Sequence, residues 1–129
     1  MKNIKYLFFL ISILLIGCKN TPKQLDDFAE FRQKFYSDTL FQVNHIIFPL
    51  RGNDFDKMEF GDTVYIWQGK EDWRFIGDLN KHNDVITDVT RNDSIVTELS
   101  HLDYGAWLLL VRFKKINNDW FLIRCEFGI

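Results

Sequence analysis

Three histidines, His45, His82 and His101, are the side chains in this chain best suited to moving a proton near neutral pH. No two of them stand at metal-ligand spacing, none stands so to a cysteine, and neither HExxH nor CxxC occurs. The sequence therefore proposes no metal site. His45 and His101 both fall on expected strands, so they could approach one another in space and work with a carboxylate as general base. Cys125 could be a nucleophile with His101 and an Asp behind it. A reactive thiol needs an electropositive, partly exposed setting. Cys125 instead alternates with Ile123 and Phe127 on an apolar face, the pattern of a small core residue. There is no Gly-Xaa-Ser-Xaa-Gly elbow and no glycine-rich phosphate loop. The carboxylates Glu71-Asp72, Asp54 with Asp56, and Asp62 sit at expected turns, where Asp serves local backbone hydrogen bonding. The alternative is a carboxylate pair facing a cavity with a raised pKa. No catalytic set is complete, so the expectation is a protein that is not an enzyme and carries no cofactor.

Binding is better supplied than catalysis. Tyr65, Trp67, Trp73, Phe75 and Trp107 are large aromatic surfaces. Trp67 and Trp73 stand at either end of a polar loop, Gln68-Gly69-Lys70-Glu71-Asp72. Indoles can stack on a ligand or fill a core, and a small domain without disulfides needs the apolar area, which favours the core. The candidate ligand-binding set is Tyr65, Trp67, Trp73, His45 and His101.

These residues must be positioned by an α+β arrangement. Phe28, Phe31 and Phe35 share one face of a helix expected from Gln24 to Asp38, with Leu25 one turn earlier. Asp38 is placed to cap a short second helix. Strands are expected at Val43–Leu50, halted at Pro49, and at Thr63–Trp67 and Trp73–Ile76. Others follow at Val85–Val89, Ile95–Leu102, Ala106–Ile116 and Trp120–Phe127, while Phe55–Phe60 fits neither pattern clearly. In the last hairpin, one face is Trp107, Leu109, Val111 and Phe113, and the facing one is Phe121, Ile123, Cys125 and Phe127. A three-residue turn, Asn117-Asn118-Asp119, pairs Phe113 with Ile123, Val111 with Cys125 and Leu109 with Phe127. A two-residue turn mixes the faces unless a bulge restores the parity.

The N-terminus carries an address. Lys2 and Lys5 precede an apolar stretch, Tyr6–Ile16, that is shorter than the ~20 residues of a membrane-spanning helix. It ends in Leu15-Ile16-Gly17-Cys18, which resembles the lipobox of bacterial lipoprotein signal peptides. That resemblance implies cleavage before Cys18 and acylation of Cys18, with several acyl chains as the membrane anchor. Residues 1–17 are then a signal peptide, 18–25 a polar tether containing Pro22, and 26–129 one domain, long enough for one core and too short for two. Lys19, Asn20 and Thr21 follow the cysteine in place of acidic residues, which by the same resemblance implies the outer membrane, facing the periplasm. The formal net charge is −2 and no basic patch is present, which argues against nucleic acid as a partner. Once Cys18 is acylated, Cys125 has no thiol to pair with. Packing alone must hold the domain, and the 11 Phe, 3 Tyr and 4 Trp of residues 26–129 are equal to that.

The helix phenylalanines, then Asp38, Phe41-Gln42, Ile46, Phe48-Pro49-Leu50 and Gly52, and a last strand led by Trp120, resemble a family of small bacterial envelope lipoproteins of unknown function. The resemblance implies a cystatin-like, nuclear-transport-factor-like cone. An N-terminal amphipathic helix packs on a curved, mostly antiparallel sheet of about six strands, leaving room for a pocket between them. It brings no catalytic motif. The functional expectation is a membrane-tethered module that binds a small apolar ligand, a peptide or a protein partner. The alternatives are a structural subunit that pairs with a second copy through its sheet, and a small isomerase or hydrolase using a cavity Asp or His.

Overall fold

The structure is a computed structural model describing residues 26–52 and 64–128, with the backbone alone for 64–66. The expected signal peptide and tether, Cys18, Phe55–Phe60 and the carboxylates Asp54, Asp56 and Asp62 lie outside the described residues.

The first helix, α1, runs Asp27–Phe35. The side chains of Asp26 and Asp27 accept from the Phe28 amide, and the acidic first turn and basic last turn match the helix dipole. Phe28, Phe31 and Phe35 are its buried face. All three rings meet the single ring of Phe113 on the sheet, at centroid distances of 5.5, 5.6 and 5.1 Å. The helix ends short of the expected Asp38 because that residue is extended and caps the next helix, accepting from the Phe41 amide at 3.0 Å. This second helix, α2, spans Thr39–Asn44. It takes up residues 43 and 44, which were expected in a strand, so β1 is Ile46–Gly52. Pro49 does not halt it. Its register with the neighbouring strand is interrupted between Ile46 and Arg51, where proline has no amide to give.

The remaining strands are β2 (Val64–Trp67), β3 (Val85–Arg91), β4 (Ile95–Leu102), β5 (Trp107–Ile116) and β6 (Asp119–Phe127). They form one mixed sheet in the order β2-β1-β6-β5-β4-β3, with β1 parallel to β6 and every other neighbour antiparallel. Trp73–Ile76 is not a strand. Both backbone groups of Ile76 bond the Gln42 side chain, so this segment is held by an amide and not by a ladder. Gln42 is fully buried and makes four bonds, to the Phe35 and Ile76 carbonyls, the Ile76 amide and the Trp73 indole, at 2.8–2.9 Å.

The last hairpin closes through a two-residue turn, not three. Ile116 faces Asp119, and Asn117 and Asn118 both have positive φ, 50° and 66°, the requirement of the tight turn that suits strand twist. Phe113 therefore faces Leu122. A bulge at Ile123 then shifts the register, and Val111 faces Cys125 and Leu109 faces Phe127. Burial follows the shift: Trp120 and Leu122 before it, and Cys125 after it, face the core with Val96, Val111 and Phe113.

A buried ionic group ties α1 to β4. Glu98 is 2% exposed among apolar neighbours and accepts from Arg32 Nε at 2.7 Å and from the Tyr36 hydroxyl at 2.9 Å. Arg32 also grips Asp78 through two bonds of 3.2 Å. Burial works against the charged guanidinium, yet the bonds from Asp78 and Glu98 outweigh it and raise its pKa. Burial, reinforced by the Glu98 charge, pushes the Tyr36 hydroxyl well above its ordinary value.

Candidate functional site

Along β4, Val96, Glu98 and Ser100 face the helices, so Leu99 and His101 point to the other side of the sheet. A groove of about 470 Å³ lies on that side, which neither described helix covers. Leu99, Leu110 and Trp107 give it an apolar lining, and Asp88, His101 and Glu126 give it polar groups. One register shift builds it. Ser100 faces Leu109, but His101 faces Trp107, so Leu108 is bulged out of the pairing. Trp107 was expected on the core side with Leu109, Val111 and Phe113; the bulge carries it across the sheet to stand beside His101. The bulged Leu108 carbonyl accepts from the Gly128 amide at 2.8 Å, and a side chain on Gly128 would strike the Trp107 carbonyl. Gly105, at φ 95°, closes the turn between β4 and β5 at the groove's end.

His101 is fixed at both ring nitrogens. Nε2 lies 3.0 Å from Asp88 Oδ2 and Nδ1 lies 2.9 Å from the Leu102 carbonyl. Both partners are acceptors, so only the imidazolium satisfies both. The Leu102 carbonyl first, and then Asp88, raise the His101 pKa above its ordinary value. Glu126, though on the same side of the sheet, is buried and bonds the Arg124 guanidinium.

The other expected site residues are dispersed. His45 stacks on Phe41 at 3.9 Å, donates through Nδ1 to the Phe41 carbonyl at 2.7 Å, and lies 3.4 Å from Asp119. It borders a smaller groove of about 220 Å³ with Glu30, Lys34 and Trp120. This is at the β5–β6 turn, the opposite end of the strands from His101, so the two histidines share no site. Trp67 and Trp73 pack on one another at 4.8 Å, and the Trp73 indole is engaged by Gln42. Trp67 also meets Phe127 at 5.9 Å, so the pair helps wall the helix side of the sheet. Phe75 is part exposed, and Tyr65 is placed by its backbone opposite Arg51 on β2. His82 and the Glu71-Asp72 turn are exposed. Cys125 is fully buried on the helix side, across the sheet from His101, and burial pushes its thiol far above the usual range, so the two cannot act as a nucleophile and base.

Leu99, Leu110, Asp88 and Glu126 escaped the sequence reading. The signal for the two leucines is the alternation about Glu98 and Val111, which puts apolar side chains on both faces of β4 and β5. Among the described residues no group of His, Cys, Asp and Glu is placed to hold a metal ion, and no helix is long and apolar enough to cross a membrane.

The architecture has a solved counterpart. A cystatin-like protein from Bacteroides caccae is similar, with a TM-score of 0.57 and 21% identity over 78% of this chain and 75% of that one. The fold is therefore cystatin-like. A de novo designed protein with a curved β-sheet is also similar, with a TM-score of 0.42 and 10% identity over 79% of this chain and 95% of that one. No family model matches the chain, and no curated protein matches it.

Proposed function

We propose that the protein is a non-catalytic binding module of the bacterial envelope, anchored through acylated Cys18 to the outer membrane and facing the periplasm. Its site is the groove of Leu99, Trp107 and Leu110 between Asp88, His101 and Glu126. The observation that carries this reading is the Leu108 bulge, which moves a tryptophan out of the core side and onto the sheet face away from the described helices. A half-buried indole on that face offers a large apolar surface suited to recognition. The ligand has an apolar body and a hydrogen-bond donor such as an amine or hydroxyl, because the exposed Asp88 carboxylate accepts. A small amphipathic molecule and the side chain of a peptide both meet that description.

The hydrolase or isomerase reading is the weaker one. His101 spends both nitrogens on Leu102 and Asp88, which leaves none to meet a substrate. The test is thermal unfolding of wild type and Leu110→Glu in the presence of fractionated extract of the native envelope. The reading expects one fraction to raise the wild-type Tm and leave the variant unchanged. Equal shifts in both proteins, or none in either, count against it.

A further inference from the structure

The described chain begins at Asp26, and its place in the fold is fixed. Asp26 accepts from Arg91 Nη2 at 3.0 Å, at the end of β3. Asp27 pairs with Lys115 near the end of β5 and accepts from the Trp120 indole at 3.3 Å. Arg91 and Lys115 both lie over the Trp120 ring, at 5.8 and 5.7 Å. The Lys115 amide donates to the Ser94 carbonyl at 2.8 Å, which joins the β3–β4 turn to the same corner. Asp26 therefore leaves the domain at the end of the sheet that holds two polar turns, Asn92-Asp93-Ser94 and Asn117-Asn118. The groove runs from Asp88, Leu99 and Leu110 in mid-sheet to the other end, where Trp107 and Gly105 lie.

The lengths decide what this means. β5 has ten residues, so Trp107 stands ~30 Å from the Asn117 turn at ~3.3 Å per residue. The chain from Cys18 to Asp26 reaches at most ~28 Å when fully extended. Bringing Trp107 and the Gly105 end of the groove to the bilayer would need the whole tether pulled straight along the domain. Keeping the Asp26 end there needs nothing.

We propose that the end of the sheet formed by Asp26, Asn92-Asp93-Ser94 and Asn117-Asn118 is a bilayer-facing surface, and that the groove is held on the far side, open to the periplasm. This rests on the lipid-anchor reading above. Neither turn carries an apolar side chain, so this end lies against the headgroups and does not enter the hydrocarbon. Asp26 and Asp27 are matched by Arg91 and Lys115, so these two carboxylates add no net charge to this end, and Asp93 contributes one exposed negative charge.

The test uses the full lipidated protein in vesicles of phosphatidylethanolamine and phosphatidylglycerol with a headgroup-attached quencher. A fluorophore is placed on Asp93→Cys or on Tyr104→Cys, both exposed positions. The expected result is several-fold stronger quenching at 93 than at 104. A long Gly-Ser insertion after Thr21 should shrink that difference while vesicle binding persists. Equal or reversed quenching in a protein that floats with the vesicles overturns the orientation and leaves the anchor standing. An intact mass with no lipid on Cys18 and no co-flotation overturns the anchor reading and the orientation with it.

Discussion

The His101 imidazole stands 3.0 Å from the Asp88 carboxylate, diagonally across the β3–β4 pair, on the face of the sheet that the helices do not cover. The same ring donates its other proton to the Leu102 carbonyl. The clamp joins the outermost strand, β3, to the turn that ends the groove.

This pair makes the edge pH-dependent. The His101 pKa is raised from 6.5 by the Leu102 carbonyl and Asp88. A raised folded-state value means the proton favours the folded form. The stabilisation is complete below the unfolded-state pKa and is lost as pH rises through the higher folded value. NMR titration of His101 should give a midpoint above 6.5, and Asp88→Asn should lower it. A wild-type midpoint at or below 6.5 would refute the clamp.

Gln42 is the hinge pin of the helix side. Replacing it with Leu leaves the Phe35 and Ile76 carbonyls, the Ile76 amide and the Trp73 indole without their partner. With a cost of ~1–3 kcal/mol for each buried group left unpaired, and some regained from water, Gln42→Leu should lose ~3 kcal/mol or more in urea unfolding. A loss under ~1 kcal/mol would show that the amide is not what holds the 73–76 segment.

Glu98 and Asp78 share Arg32 but not its environment. Glu98 is sealed beneath α1 and Asp78 is half-buried at its edge. Glu98→Ala should cost ~3–5 kcal/mol, as expected when one member of a buried pair is removed. Asp78→Ala should cost ~1 kcal/mol or less. Equal costs measured by denaturant unfolding would mean that Arg32 swings out to water when Glu98 is gone.

The parts of this fold that follow local rules are legible in the sequence. The spacing of Phe28, Phe31 and Phe35 and the cap at Asp38 are local, and the structure describes both. The Val111–Cys125 and Leu109–Phe127 pairs also follow from the apolar alternation, with Cys125 buried and Phe127 41% exposed at the strand end. The route to those pairs does not. The chain reaches them with a tight Asn117-Asn118 turn and a bulge at Ile123, and a parity argument cannot distinguish that from a longer turn without a bulge. The candidate site is hidden for the same reason. Trp107 reads as a core residue by alternation, and only the Leu108 bulge turns it outward. Bulges depend on long-range closure, here the Gly128 amide meeting the Leu108 carbonyl, which no window of sequence displays.

The central claim is that the groove beside His101 and Trp107 holds a ligand. Native mass spectrometry of the full chain, extracted gently from its own envelope, tests it most directly alongside Trp107→Ala and Leu110→Glu. The account predicts a defined extra mass beyond the lipid on the wild-type monomer that is lost from both variants. A bare wild-type monomer, an extra mass retained by both variants, or a bare dimer whose second copy covers this face would contradict it.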